Sequence, residues 1–385
     1  MYTVRAINKI AQAGLSQLPA EHFRMDENAP NPDAVLVRSA KLHDMPLEDK
    51  LLCIARAGAG VNNIPVDACT KRGIVVFNTP GANANAVKEL VICSLFLASR
   101  NIIGGIEWCR DLIGDVPGQV EKGKASFVGP EISGKTLGII GIGAIGANVA
   151  NAAHYLGMDV LGFDPYISVD TAWGLSRSVR RAGDLEQILS ESDYITLNLP
   201  STTETKKSLS DMLLRVKPGV RIINMARADL INDDDMLAAL DSGKVARYVT
   251  DFPTGKLISC ENVVPIPHLG ASTPESEENC SVMACKELTE YVLLGNIVNS
   301  VNYPSVVMPH THACRLCVFH ENIPNMLSDI SSVVSGSGLN IENMLSRSKG
   351  DMAYTILDCA ELPDSDVLEC IRTRQGIVRV RMLKV

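Results

Sequence analysis

A chain of 385 residues, 46% apolar, 21% charged and only 4% aromatic, is long enough for two or three domains and apolar enough to bury their cores, which excludes a disordered or low-complexity protein. With 36 basic and 44 acidic residues the net charge is −8, so neither nucleic acid nor a membrane surface is an expected partner. The apolar run 91–98 falls well short of a membrane span, and the first ten residues lack the apolar core of a secretion signal.

In chain order, residues 34–37, 52–55 and 74–77 read as buried parallel strands, each followed by a turn or an amphipathic stretch. Residues 85–100 read as one long apolar helix. A Gly-rich, charged stretch follows at 114–134. A second series of strands is then predicted at 136–140, 159–163, 194–199, 221–224 and 245–250. Helix signals separate them, as at 233–242, where three leading Asp suit a positive helix N-terminus. This βαβ rhythm predicts an α/β fold with two doubly wound parallel-sheet lobes. The Pro- and His-containing segment 303–313 reads as a linker. Beyond it, strand 314–319, helix 324–335, strands 341–348 and 352–358, helix 364–373 and strand 377–383 give a βαββαβ order, expected to form a ferredoxin-like sandwich. The expected domains are a discontinuous substrate lobe (1–86 and 271–302), a cofactor domain (87–270), the linker, and a regulatory unit (314–385).

Eleven cysteines, an odd and scattered set, fit free thiols in a reducing compartment such as the cytoplasm. His310, His312, Cys314, Cys317 and His320 have the composition of a zinc knuckle. No second ligand pair follows at the usual spacing, however, and 315–319 reads as a strand, so no metal is expected.

The strongest local signal is the glycine cluster from Gly138 to Gly146. It closes a predicted strand and opens an Ala-rich helix. Gly141 permits the tight turn, Gly143 admits a pyrophosphate against the backbone, and Gly146 lets helix and strand pack closely. The phosphates then sit at a helix N-terminus. Asp164 ends the following strand at close to the ~20-residue separation expected of the acid that binds ribose hydroxyls. A carboxylate there repels a 2′-phosphate, and Pro165 brings no cation, so NAD is expected rather than NADP.

Hydride removal from an alcohol also needs a base for the hydroxyl proton and a cation for the substrate's oxygens. Arg227, just after the 221–224 strand, and His268, on a loop framed by Pro265 and Pro267, supply one of each after predicted strand ends. Ligands bind at such ends in open α/β sheets. Each also has a plainer reading, as a surface ion-pair residue and a loop histidine.

These residues, with Arg56 to Ile64, Asn78 to Gly81, Leu199-Pro200, Asn224 to Arg227, Asp251 to Pro253 and His268 to Thr273, resemble the D-isomer-specific 2-hydroxyacid dehydrogenases in order along roughly 35–300. The resemblance implies that Arg227 binds the carboxylate and ketone oxygen and that His268 is the acid–base. It implies cofactor contacts for Gly141, Gly143, Ala144, Ile145, Gly146, Asp164, Thr79, Leu199, Met225, Asp251, Gly270 and Ala271. It also implies backbone contacts to the carboxylate from Gly58 and Ala59, and a distal phosphate held by Arg38 and Arg56. The implied substrate is 3-phosphoglycerate, in a homodimer or homotetramer. A glyoxylate or hydroxypyruvate reductase, and a non-catalytic NAD(H)-sensing binding protein, are the alternatives.

One departure stands out. Members of this family usually carry a Glu shortly after the Asp251-Phe252 position, hydrogen-bonded to the histidine, whereas this chain continues Pro253-Thr254-Gly255-Lys256. Without that carboxylate, ketone reduction is expected to fail at lower pH than in relatives with the Glu, unless another acid such as Glu261 replaces it.

Residues 314–385 are similar to ACT domains, ligand-sensing modules of amino-acid biosynthetic enzymes, through His320 to Leu327, Leu339 to Ile341 and Val378 to Arg381. The similarity implies L-serine as an effector held by His320, Asn322 and Asn340 across a dimer interface. Asn325 stands where Gly is commoner.

Overall fold

A computed structural model describes residues 1–206, 209–309 and 314–384. The chain forms two compact units, one made of Met1–Asn83 with the chain from Glu277 on, the other of Ala84–Ser276.

The first unit opens with five parallel strands: β1 (Tyr2–Ile7), β2 (Phe23–Met25), β3 (Ala34–Val37), β4 (Cys53–Arg56) and β5 (Val75–Phe77), in the order β2-β1-β3-β4-β5. All four side chains of β3 are buried, as a strand covered on both faces requires. The sequence reading found β3 to β5 and not β1 or β2. Arg5 interrupts the apolar run of β1, and Arg24 leaves β2 a three-residue edge strand with one buried side chain.

The second unit carries seven parallel strands: β6 (Thr136–Ile140), β7 (Asp159–Phe163), β8 (Arg180–Arg181), β9 (Tyr194–Leu197), β10 (Val220–Asn224), β11 (Val245–Thr250) and β12 (Val263–Pro265). Their order is β12-β11-β10-β9-β6-β7-β8. The chain moves outward from β6 in one direction and from β9 in the other, so β6 and β9 flank the topological switch point where such sheets bind ligands. The helix Ala84–Ser99 buries Val87, Val91, Leu95 and Ala98 in one stripe against this sheet. The helices Ile102–Arg110 and Val116–Gly123 follow it, in a region where Gly and charge had masked any periodicity. Among the described residues no single helix is long and apolar enough to cross a membrane. Ala84–Ser99 and Ile102–Arg110 qualify only as a pair bent by 69°.

The first unit resumes in the helix Pro274–Leu294 and ends in an antiparallel sheet of β13 (Cys314–Glu321), β14 (Ile341–Lys349), β15 (Met352–Cys359) and β16 (Ile377–Lys384), ordered β14-β15-β13-β16. Alternation along β13 decides its packing. Cys314, Leu316 and Val318 face the helices Met326–Gly336 and Ser365–Arg372 with Ile330, Val334 and Ile371. Cys317 and Phe319 face the other way, into one core with Phe77, Tyr291, Tyr303 and Tyr354. The Phe319 ring stands edge-on to Tyr303, centroids 4.8 Å apart, and tilted against Tyr354 at 4.5 Å.

Charge locks the same face. Arg315, fully buried, makes a fork to Asp358 (Nε–Oδ1 2.7 Å, Nη2–Oδ2 2.9 Å) and donates to the carbonyls of Leu294, Met308 and Pro309. The segment read as a linker is therefore partly core: Tyr303 is buried with its hydroxyl on the Thr70 carbonyl at 2.6 Å, and Val306 bridges to Ile297. Apolar side chains there serve a shared interior, which Pro and His in the sequence concealed.

Candidate active site

The glycine turn is built by steric necessity. Gly141 has φ 93°, and a Cβ there would lie 2.7 Å from the Asn198 carbonyl oxygen. At Gly146 a Cβ would lie 2.1 Å from the Gly141 carbonyl oxygen, so only glycine lets the helix Ala144–Tyr155 approach β6. Gly143 differs: the space its side chain would fill is empty, and no side chain caps the helix, so the first-turn N–H groups face an open cradle. Ala144 is exposed, Ile145 half-buried, and Leu199 lies against Gly141. Asp164 closes the ring: its Oδ2 accepts the Ile142 N–H and its Oδ1 the Tyr166 N–H, both at 2.8 Å.

In the second unit's sheet, two buried polar atoms just beyond the carboxyl ends of strands have no protein partner, Asn198 Nδ2 after β9 and Asp251 Oδ1 after β11. Burying them unpaired is costly, and a dinucleotide carrying amide and hydroxyl groups fits this donor set. Asn198 was not singled out from sequence; its position between a buried strand and Leu199-Pro200 was the available signal.

Arg227 follows β10. Asn224, fully buried, shapes that loop by accepting the Ala226 and Arg227 N–H groups and donating to the Arg227 carbonyl (3.0 Å) and the Tyr248 hydroxyl (3.1 Å). Arg227 is left exposed, with Nη1 on the Ala226 carbonyl at 2.6 Å. Met225, just before it, is buried. His268 is exposed on the loop after β12, its ring 4.6 Å from that of Phe252.

Asp251 joins these parts. It is 1% exposed, and its Oδ2 accepts the Gly270 N–H at 3.3 Å. Burial raises its carboxyl above the usual range, opposed by the charge of His268, then the Gly270 N–H, and more weakly by Arg227. One buried carboxylate thus lies within electrostatic reach of both side chains chosen from sequence. Glu261 instead faces Arg247, and Lys256 pairs with Asp234 at 2.6 Å. Ala271 is half-buried beside Gly270.

The remaining residues lie on the first unit. Arg38 pairs with Glu277 at 2.7 Å, both about 40% exposed. Arg56 donates from Nε to the Arg38 carbonyl at 2.9 Å and from Nη1 to the Gly60 carbonyl. The two arginines are therefore neighbours. The Gly58 carbonyl accepts the Thr79 N–H at 3.1 Å, and the Ala59 carbonyl accepts Asn78 Nδ2 at 2.6 Å. Thr79 is buried and its hydroxyl has no partner.

The three effector candidates are not gathered within one chain. His320 is 2% exposed. Its Nδ1 bonds the Glu321 carbonyl and its Nε2 the Thr355 hydroxyl, each at 2.8 Å. A carbonyl only accepts, so Nδ1 carries the proton and Nε2 accepts. Burial, which pushes the imidazole below its usual value, agrees with that neutral ring. Asn322 and Asn340 are exposed at opposite ends of the sheet. Asn322 bonds the β14–β15 turn at Gly350 and Asp351, and Asn340 lies beside Ala360. Asn325 takes φ 70°, the left-handed conformation that explains why Gly is common there and that Asn tolerates. Of the residues weighed as a zinc knuckle, His310 and His312 lie outside the described residues. Among the described residues no group of three or more His, Cys, Asp or Glu is placed to hold a metal.

Residues 93–270 match the family described as D-isomer specific 2-hydroxyacid dehydrogenase, NAD binding domain. The chain is 30% identical to D-3-phosphoglycerate dehydrogenase 1 of Saccharomyces cerevisiae, over 86% of this chain and 74% of that one. It is also 30% identical to D-3-phosphoglycerate dehydrogenase of Haemophilus influenzae, over 87% and 82%. Among solved structures it resembles the NAD+-bound 3-phosphoglycerate dehydrogenase of Entamoeba histolytica, with a TM-score of 0.60 and 26% identity over 78% of this chain and 98% of that one. A glycine cradle anchored by Asp164, an arginine and a histidine around one buried carboxylate, and relatives matched over most of their length lead to one conclusion: this chain belongs to the D-isomer-specific 2-hydroxyacid dehydrogenases, NAD-dependent oxidoreductases.

Proposed function

We propose that the chain oxidises 3-phospho-D-glycerate to 3-phosphohydroxypyruvate, the first step of phosphorylated L-serine biosynthesis. The observation that carries the reading is that Arg227 and His268 stand on the loops after β10 and β12, on either side of the buried Asp251 after β11, at the carboxyl edge of the sheet that holds the glycine cradle, in a chain whose relatives bear that activity's name. Bound NAD supplies the hydride acceptor. His268 takes the hydroxyl proton as the carbinol carbon loses its hydride, and returns it in the reverse direction. Arg227 holds the carboxylate and polarises the developing ketone. Backbone N–H groups of Gly58 and Ala59 support the carboxylate, and Arg38 and Arg56 take the phosphate, for which adjacent guanidinium groups are suited. Arg38 must exchange Glu277 for that phosphate.

We further assign L-serine as effector. Because Asn322 and Asn340 stand at opposite ends of one sheet, a site using both takes one from each of two copies. A homodimer or homotetramer is the matching assembly, and the exposed Ile102, Ile103, Ile106 and Ile113 give the second unit an apolar surface for association. No disulfide is seen among the described residues, which suits the cytoplasm.

NADH formation from 3-phosphoglycerate tests the assignment, with 2-hydroxy acids lacking a phosphate as controls. Turnover of the phosphate-free acids alone points to a glyoxylate or hydroxypyruvate reductase. NADH binding without turnover of any of them leaves an NAD(H)-sensing protein. Serine added to the same assay at millimolar levels tests the effector, and unchanged rates would remove it.

A further inference from the structure

We propose that Arg379 is a positioning residue for the substrate contacts: through it the C-terminal sheet clasps β4 and β5 at their amino ends, so that a change in that sheet is read as substrate affinity. The inference rests on the substrate roles given above to Arg56, Gly58 and Ala59.

The strand pair is tied at both ends. At the carboxyl ends the Thr79 N–H donates to the Gly58 carbonyl at 3.1 Å and Asn78 Nδ2 to the Ala59 carbonyl at 2.6 Å, which joins the loops that carry the substrate groups. At the amino ends the tie comes from outside the parallel sheet. Arg379, on β16, donates from Nη1 to the carbonyls of Leu51, just before β4, at 2.6 Å and of Gly73, just before β5, at 3.3 Å. Its Nη2 donates to the Asp49 carbonyl. A planar guanidinium with five donors can bridge two strand ends in this way, and the compact ammonium of a lysine has no such fork. Gly73 is shaped for the approach: its φ is 66°, and a Cβ there would lie 2.6 Å from the Arg379 Cβ.

The interior makes the clasp stiff. Cys53 of β4 and Val75 and Phe77 of β5 lie in one core with Phe319, Tyr354 and Leu383 of the C-terminal sheet. Arg381, two residues further along the same face of β16, holds that strand in place with its Cζ 4.7 Å from the Tyr291 ring centroid and a bond to the Val292 carbonyl at 3.1 Å. β4 has four residues and β5 three, paired at Cys53↔Val75, Ile54↔Val76 and Ala55↔Phe77. At about 3.3 Å per residue the amino end of β4 is only about 10 Å from Arg56, and a close-packed interior transmits strain over such a distance.

The test compares wild type, Arg379→Met, Arg379→Lys and Val380→Ala in the full-length protein. Val380 points from the same strand into the opposite core, so its truncation loosens the sheet and spares the clasp. Steady-state kinetics with 3-phosphoglycerate, or with whichever 2-hydroxy acid is oxidised, are read beside NADH affinity by fluorescence and hydrogen exchange of the loops after β4 and β5. Arg379→Met should raise KM about fivefold or more, with kcat and NADH affinity changed less than about twofold, because substrate and transition state lose the same contacts. Exchange of amides in 57–60 and 78–81 should quicken about tenfold. Arg379→Lys should raise KM by about twofold and Val380→Ala should leave it unchanged. If Arg379→Met does not fold, the comparison of Arg379→Lys with Val380→Ala decides in its place. An unchanged KM in the Arg379 variants, or an equal rise in Val380→Ala, would overturn the proposal. So would a parallel loss of kcat and NADH affinity, the sign of general unfolding. A wild type that binds NADH and oxidises no 2-hydroxy acid would instead overturn the catalytic reading, and hydrogen exchange alone would then decide whether the clasp reaches those loops.

Discussion

Glu287 offers a stability test that is independent of catalysis. It lies on the helix Pro274–Leu294 at 5% exposure, with Oε1 accepting Asn299 Nδ2 at 2.7 Å and Oε2 buried without a partner. Burial pushes its carboxyl from 4.5 up to about 8, only partly opposed by the Asn299 amide. Between those values the native protein holds a proton that the unfolded chain has released, so the free energy of unfolding falls as pH rises through that window and levels off above it. Glu287→Gln keeps the acceptor for Asn299 and removes the titration. At about 1.4 kcal/mol per pH unit, the variant should exceed wild type in stability by about 1 kcal/mol at pH 5 and about 4 kcal/mol at pH 8, levelling near about 5 kcal/mol. Urea unfolding of both proteins at several pH values between 5 and 9 measures the difference directly. A difference that does not change with pH, or a wild type more stable than the variant at pH 8, would refute the reasoning.

Arg315→Ala leaves Asp358 buried without its counter-ion and frees three backbone carbonyls, so it should lower stability by about 3–5 kcal/mol. Arg315→Met with Asp358→Leu should recover most of that loss in the same urea assay. Gly146→Ala drives a methyl to 2.1 Å from the Gly141 carbonyl oxygen. It should therefore abolish NADH binding while the C-terminal antiparallel sheet, followed by hydrogen exchange, keeps its protection. Asp164→Ser removes the anion and one of the two bonds that hold the glycine loop to the end of β7, the other being the Gly141 N–H on the Phe163 carbonyl. The ratio of kcat/KM for NAD over NADP should fall at least tenfold, and an unchanged ratio would separate Asp164 from cofactor choice.

How much was legible in the linear chain depends on range. Strands β6, β7, β9, β10 and β11, the helix Ala84–Ser99 and the terminal βαββαβ order all follow from apolar periodicity within ten to twenty residues, and the structure places each within a few residues of the expected span. The glycine cluster is legible for the same reason, since the need for no side chain is written locally. Strands β1 and β2 escaped because an arginine breaks each apolar run, and the helices at 102–123 because glycine and charge erase the period.

By itself, then, the amino-acid order determined the alternation of helix and strand, the nucleotide turn and the two side chains that carry the proposed chemistry. Tertiary structure alone decided which groups share an interior. It set Asp251 against Gly270 in the His268 loop although Lys256 occupies the sequence neighbourhood, gave Arg315 its six acceptors from three segments, and turned the Phe319 face of the last sheet into a core with Tyr291 and Tyr303. It also placed Asn322 and Asn340 at opposite ends of that sheet, through the register of β14 on β15. The reason is physical. Backbone propensity acts between near neighbours, whereas the cost of burying an unpaired charge or carbonyl is settled by whatever distant residue the fold brings within hydrogen-bonding reach.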